Sequence, residues 1–172
     1  MDQQLLAKTL EGLLADFTRH YERVEASLAA QREGIRRADS HAIALAQQQH
    51  EGLARSIAQC DQRRRELVVR ARSSFAALAG IPGEKVTLSD LARCAPEEQR
   101  NELLNKATAL RTLVSRVATE SASLKSATMT LVAHMEGLIR QVGRTLSHSG
   151  VYSKRGVVEP GGLVVSAVDV RM

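Results

Sequence analysis

The chain has 172 residues, of which only 2% are aromatic, and only three prolines and eleven glycines interrupt it. Its formal net charge is +5, but Asp and Glu are interspersed nearly throughout, and no aromatic residues accompany the basic stretches for stacking on bases. The longest apolar run is only a few residues, and the N-terminus shows no secretory signal, so we expect no membrane insertion and a cytoplasmic protein. This composition is typical of long helices and coiled coils, which predicts an all-α fold.

The first predicted helix covers about residues 3–36. Its apolar residues recur at helical spacing and form a stripe wide enough for more than one neighbouring helix. They are Leu6, Leu10, Leu13, Leu14, Phe17, Tyr21, Val24, Leu28 and Ile35. The segment 36–40 then offers Asp39 or Ser40 as the N-cap of the next helix. Because this turn is short, the two helices are expected to run antiparallel.

The second predicted helix covers about residues 40–79 and shows the 3-4 alternation of a coiled coil, interrupted by His50 and Arg64. We expect Arg64 to lay its stem over the apolar seam and keep its charged head in water. Gly80 and Pro82 then end the helix. A short helix is predicted at about 88–94, because Thr87 and Asp90 have the spacing of a capping box.

The third long helix, about residues 97–147, carries the strongest pattern in the chain. Two apolar series repeat every seventh residue, four positions apart, and this spacing predicts a long helix packed against others. The first series is Leu103, Leu110, Val117, Leu124, Leu131 and Leu138, and the second is Ala107, Val114, Ser121, Thr128, Met135 and Val142. The small polar members Ser121 and Thr128 have two readings: they let neighbouring helices approach closely, or they leave a seam weak enough to open for a partner.

Residues 148–172 have no helical period and are rich in glycine and valine. Such a segment either folds back on the helices or waits for a partner. The sequence therefore predicts an elongated antiparallel bundle of three long helices and a short one over 1–147, followed by a flexible partner-binding tail over 148–172.

The residues that carry chemistry are scattered. The five histidines form no HExxH pair, there is no glycine-rich phosphate loop, and Cys60 and Cys94 lack the spacing of metal ligands. Both cysteines are expected to be reduced core residues. We therefore expect no enzyme and no catalytic, cofactor-binding or metal site.

The order of these parts, with the Arg-rich stretch QCDQRRRELVVRARSSF at the end of the second helix and VYSKRG at the start of the tail, resembles the FlgN family of flagellar type III export chaperones. The resemblance implies a chaperone that binds C-terminal helical segments of hook-filament junction proteins. It would prevent their premature association and deliver them to the flagellar export gate.

The resemblance also implies that the end of the third helix and the start of the tail bind the partner. The corresponding residues are Leu131, Met135, Leu138, Ile139, Val142, Leu146 and Tyr152. Met135 suits an adaptable interface, because an unbranched thioether repacks easily. The alternative, for all of them except Tyr152, is that they belong to the core of the bundle.

Two other functions remain open. The chain could be a structural or scaffolding coiled coil that associates with itself through the third helix. It could also bind nucleic acid through the arginines of residues 63–72, although solvated helix surface is the preferred reading and we expect no nucleic-acid partner. The identity of the client, the oligomeric state and the role of the basic run are left undecided by the sequence.

Overall fold

The computed structural model describes residues 1–148, and the side chains of residues 1–145. The chain contains helices α1 (Gln3–Arg36), α2 (Ser40–Arg72), α3 (Leu88–Arg93) and α4 (Glu97–His148), with 3₁₀ turns at Ala76–Leu78 and Gly83–Lys85. Every regular element of this part of the chain is helical, which confirms the predicted all-α class. The chain divides into two units, Met1–Leu124 and Lys125–Met172, and α4 contributes to both. Residues 149–172 of the predicted tail lie outside the described residues.

Helices α1 and α2 run antiparallel. The buried Ser27 hydroxyl donates to the Ala46 carbonyl at 3.0 Å, and Arg63 donates to the Asp16 carboxylate at 2.9 Å. Both bonds join a residue of α1 to a residue of α2. The α1 residue with the higher number is bonded to the α2 residue with the lower number, as expected for antiparallel helices. The Asp39 carboxylate caps α2 by accepting from the Ala42 amide at 2.9 Å, so Asp39 is the one of the two predicted candidates that forms the cap.

The turn between α1 and α2 brings backbone close to backbone. Ala38 has φ of 54°, a left-handed conformation that L-residues adopt at some cost. One turn earlier, a Cβ atom added at Gly34 would lie 3.0 Å from Cγ1 of Ile43 and 3.3 Å from its backbone nitrogen. Gly34 therefore allows a close approach that a larger residue would hinder.

The core of Met1–Leu124 is built almost entirely from aliphatic side chains. One cluster joins all four helices, and its fully buried members include Leu6 and Leu10 of α1, Leu67 of α2 and Leu91 of α3. Helix α4 contributes Leu103, Ala107 and Leu110 to the same cluster. A second cluster contains Val24, Leu28, Leu53, Leu113, Val117 and Leu124. Cys60 and Cys94 are both buried and free.

Exposed ion pairs link α1 to the first half of α4. Lys106 lies 2.6 Å from Glu11, and Arg116 donates to Glu25 at 3.0 Å. Positions in the two helices rise together, so α1 and this part of α4 run parallel. Exposed pairs of this kind contribute at most about 1 kcal/mol each, and the buried leucines carry most of the stability.

Helix α2 ends at Arg72, seven residues before its predicted end near residue 79. The hydroxyls of Ser73 and Ser74 donate to the Arg70 carbonyl at 2.9 and 3.1 Å, and Phe75 adopts an extended conformation with φ of −122° and ψ of 112°. Serine hydroxyls compete for helical carbonyls in this way, which weakens a helix. Leu78 is still buried, because the 3₁₀ turn directs it into the core.

The capping box predicted for α3 is present. The Thr87 hydroxyl accepts from the Asp90 amide at 3.2 Å, and the Asp90 carboxylate accepts from the Thr87 amide at 3.0 Å. The Thr87 hydroxyl also donates to the Asp90 carboxylate at 2.7 Å. This bond, together with the one from the Thr87 amide, holds the pKa of Asp90 below its ordinary value.

The arginines at the start of the basic run are paired with carboxylates. Arg63 donates to Asp16, and Arg64 and Arg65 both donate to Asp61, at 2.7 and 2.8 Å. Hydrogen bonds from Arg63 and from Arg64 lower the pKa values of Asp16 and Asp61, respectively. Arg64 was expected to keep its charged head in water, but its side chain is only 22% exposed and its guanidinium group pairs with Asp61.

The glycines of α1 give a matched test of the close approach at the turn. An alanine at Gly12 would meet no atom within 4 Å, so Gly12→Ala should raise the free energy of unfolding by about 0.5–1 kcal/mol through helix propensity. Gly34→Ala should lack this gain or be destabilising, because its Cβ atom would press on Ile43. Urea unfolding of both variants measures the difference, and equal gains would contradict the close approach.

The lowered pKa values of Asp16 and Asp61 predict an acid-sensitive fold. A carboxyl group with a lowered pKa in the folded state stabilises above its unfolded pKa of about 3.9, and this stabilisation is lost as the pH falls through the folded pKa. The free energy of unfolding should therefore decrease as the pH is lowered below about 4. The double variant Asp16→Asn, Asp61→Asn should be less stable at pH 6 but show a shallower fall. An equally steep fall in urea titrations at each pH would contradict this origin.

Candidate partner-binding surface

The heptad seam of α4 is buried as far as Leu124 and exposed from Leu131 onward. Leu103, Leu110 and Leu124 are 3%, 5% and 7% exposed, whereas Leu131 and Leu138, at the same heptad position, are 43% and 48% exposed. Helices α1 and α2 have 34 and 33 residues and α4 has 52, so neither of the shorter helices is long enough to cover all of it. The apolar heptad repeat of α4 therefore continues beyond the part of the helix in which it is buried by α1 and α2.

The exposed residues form one continuous face. At 100° per residue, Leu131, Met135, Leu138 and Val142 fall in a narrow strip along the helix. Val132 and Ile139 extend this strip along one edge, to an arc of about 120°. We call these six residues, Leu131, Val132, Met135, Leu138, Ile139 and Val142, the α4 apolar face. Their exposed fractions range from 43% to 68%.

The other side of this part of α4 is polar. Glu136 and Arg140 lie one turn apart, with 3.9 Å between their charged groups. Thr130 donates to the backbone carbonyl of Ser126. No charged residue lies within the α4 apolar face, so residues 125–145 form an amphipathic helix whose apolar side meets solvent.

Five of the seven residues predicted to bind a partner lie on the α4 apolar face: Leu131, Met135, Leu138, Ile139 and Val142. The backbone of Leu146 belongs to α4, but its side chain, and Tyr152 as a whole, lie outside what the structure describes. The binding role of all seven stays a prediction.

Sequence reasoning did not include Val132 and Met129, which are 50% and 63% exposed. Val132 lies seven residues before Ile139, so the heptad spacing that connects Leu131 with Leu138 could also have identified Val132. Met129 lies outside the arc of the other residues, and no periodic signal marks it.

The chemistry available on the α4 apolar face is apolar contact. Residues 1–148 contain no cluster of His, Cys, Asp or Glu arranged to hold a metal ion. In the same range no helix combines the length and the apolar character needed to span a membrane. The face is therefore suited to packing against the apolar side of another helix.

A family model described as FlgN protein matches residues 1–160, a range that includes the whole α4 apolar face. No curated protein and no solved structure matches the chain.

The exposure of the α4 apolar face predicts that charges are tolerated there. The double variant Leu138→Asp, Val142→Asp should change the free energy of unfolding by about 1 kcal/mol or less, mainly through the poorer helix propensity of aspartate. Leu110→Asp should lose more than about 3 kcal/mol, because it buries an unpaired charge. Urea unfolding followed by circular dichroism compares the two. A comparable loss in both would contradict the exposed position of Leu138 and Val142.

Proposed function

Because the chain belongs to the FlgN family, a family of flagellar export chaperones and not of enzymes, we propose that it binds C-terminal helical segments of hook-filament junction proteins through the α4 apolar face. The observation that carries this proposal is the continuous exposed arc of six apolar side chains on one helix. Leu146 and Tyr152 are included in the proposal because the family resemblance implies them.

The shape of the face suits a helical client. From Leu131 to Val142 it extends over about 17 Å, or three helical turns. A client helix with apolar residues at i, i+4, i+7 and i+11 presents a complementary stripe of the same length. The heptad spacing that lets α4 pack against α1 and α2 in its first half is thus available to a partner in its second half.

This mode of binding explains both protection and release. A junction protein whose apolar helix is covered by α4 has no free apolar stripe with which to associate prematurely. Binding through apolar contacts alone remains reversible, because ordering the client segment offsets several kcal/mol of the contact energy. Met135 contributes an adaptable side chain that can pack against different clients. A reversible complex can be handed over at the export gate.

The domain organisation that we propose for this function is a helical bundle over residues 1–147 followed by a partner-binding tail over residues 148–172. The bundle is supported by the clusters that join α1, α2 and the first half of α4, and by the directions of these helices. The client exists in the cytoplasm before export, and we place the chaperone there.

The same exposed heptads favour one competing function. Leu131, Met135, Leu138 and Val142 keep the 3-4 spacing of a coiled-coil seam, which could pair with α4 of a second copy. The chain would then be a self-associating scaffold. Light scattering at low micromolar concentration separates the two functions.

The test is binding of a synthetic C-terminal peptide of a hook-filament junction protein, measured by isothermal titration calorimetry. Leu138→Asp, Val142→Asp should abolish binding, because both charges would be buried under the client. The matched control is Leu45→Asp, Val69→Asp, which alters an exposed leucine and an exposed valine of α2, 49% and 70% exposed. This control should bind as the unaltered chain does.

Three results would contradict the proposal. Undiminished binding by Leu138→Asp, Val142→Asp would move the site elsewhere. Equal loss in the α2 control would show that binding is unspecific apolar adhesion. An oligomer that Leu138→Asp, Val142→Asp dissociates, in a chain that binds no junction peptide, would establish the scaffold.

A further inference from the structure

A groove of about 530 Å³ lies within Met1–Leu124, where α1, α2, α3 and the first half of α4 meet. Its apolar lining includes the stacked rings of Phe17 and Tyr21, whose centroids are 6.4 Å apart, together with Leu88, Leu110 and Val114. Tyr21, Leu88 and Val114 are only half-buried. The groove therefore exposes large apolar side chains on a concave surface, which is typical of a binding site.

Three arginines also line this groove: Arg64, Arg93 and Arg111. Arg93 lies 2.9 Å from Asp90, the one carboxylate in the lining. The Asp90 carboxylate is also part of the capping box with Thr87, so its oxygens are shared between Arg93 and Thr87. The lining thus contains three guanidinium groups and one carboxylate.

Arg111 differs from the other two arginines. Arg64 is held by Asp61, which Arg65 also shares. Arg111 is exposed, and within residues 1–148 it has neither an ion pair nor a hydrogen bond from its side chain. Its guanidinium group is available at the edge of the apolar lining, and it can accept a carboxylate in a bidentate geometry.

We propose that this groove, the Arg111 groove, is a second binding site of the chain and takes an acidic amphipathic polypeptide segment. An apolar side chain of the segment packs on Tyr21, Leu88 and Val114, and a neighbouring Asp or Glu pairs with Arg111. The requirement for both an apolar anchor and a carboxylate distinguishes this site from the α4 apolar face, which contains no charged residue.

A polypeptide fits the groove better than a nucleic acid does. Nucleic-acid sites that lack base-edge readout combine rows of cations with several exposed aromatic rings for stacking. Here Phe17 is buried and Tyr21 is the one half-buried ring of the lining. Aliphatic side chains form much of the remaining surface, and they suit Leu, Ile or Val of a partner.

The test uses a short fluorescein-labelled peptide with leucine and glutamate at helical spacing, and a second peptide with glutamine in place of every glutamate. Fluorescence anisotropy on the full chain measures both. The acidic peptide should bind more tightly at low salt than at high salt, because exposed charges contribute. Arg111→Glu should weaken its binding about tenfold by charge reversal.

The matched control is Arg55→Glu, which makes the same change of charge at an exposed arginine of α2 that is not part of the groove. It should change binding by less than about twofold. Circular dichroism of both variants checks that the helices are retained, and both substitutions are at exposed positions.

Several results would overturn the proposal. Undiminished binding of the acidic peptide by Arg111→Glu would place it elsewhere. Equal weakening by Arg55→Glu, or equal binding of the glutamine peptide, would indicate general attraction to a basic chain. Tighter binding of a labelled oligothymidine, lost in Arg111→Glu, would reassign the groove to nucleic acid. Junction-peptide binding through the α4 apolar face is measured separately, so its outcome does not decide this proposal.

Discussion

A long helix rich in leucine, alanine and valine is stable in water chiefly where another apolar surface covers its stripe. Within Met1–Leu124 the helices cover one another, and Leu6, Leu67 and Leu110 are excluded from solvent by side chains of neighbouring helices. Nearly every other feature of the chain depends on this mutual cover. The caps at Asp39 and Thr87 and the close approach at Gly34 set the ends and directions of the helices so that their stripes meet.

The same constraint leaves the apolar stripe of the second half of α4 exposed, and the proposed function rests on that exposure. Fully burying a large aliphatic side chain is worth about 1.5–3 kcal/mol, and the six residues of the α4 apolar face are roughly half exposed. A partner that covers them gains several kcal/mol, and part of this gain offsets the loss of freedom on association. The surface therefore favours a complex that forms readily and separates again, which a chaperone that releases its client requires.

The periodicity of apolar residues predicted where the helices lie, but it did not predict which of their apolar residues are buried. Leu124 and Leu131 occupy the same heptad position, yet one is buried and the other exposed, because burial depends on neighbours and not on spacing. The unequal lengths of the predicted helices indicated indirectly that part of the longest helix would be exposed. The early end of α2 was missed for a different reason: Leu78 continued the apolar spacing, while Ser73 and Ser74 turned the backbone out of the helix.

The Arg111 groove could not have been predicted, because Tyr21, Arg64, Arg93 and Arg111 come from four helices and share no spacing. The groove changes the interpretation of the net charge of +5, because in the sequence the basic residues are interspersed with carboxylates. Folding pairs Arg63, Arg64 and Arg65 with Asp16 and Asp61. It leaves Arg111 unpaired among the described residues, at the edge of an apolar surface. An unpaired guanidinium group thus lies beside an apolar surface, and a chain with a purely apolar face gains a second surface that can distinguish partners by their carboxylates.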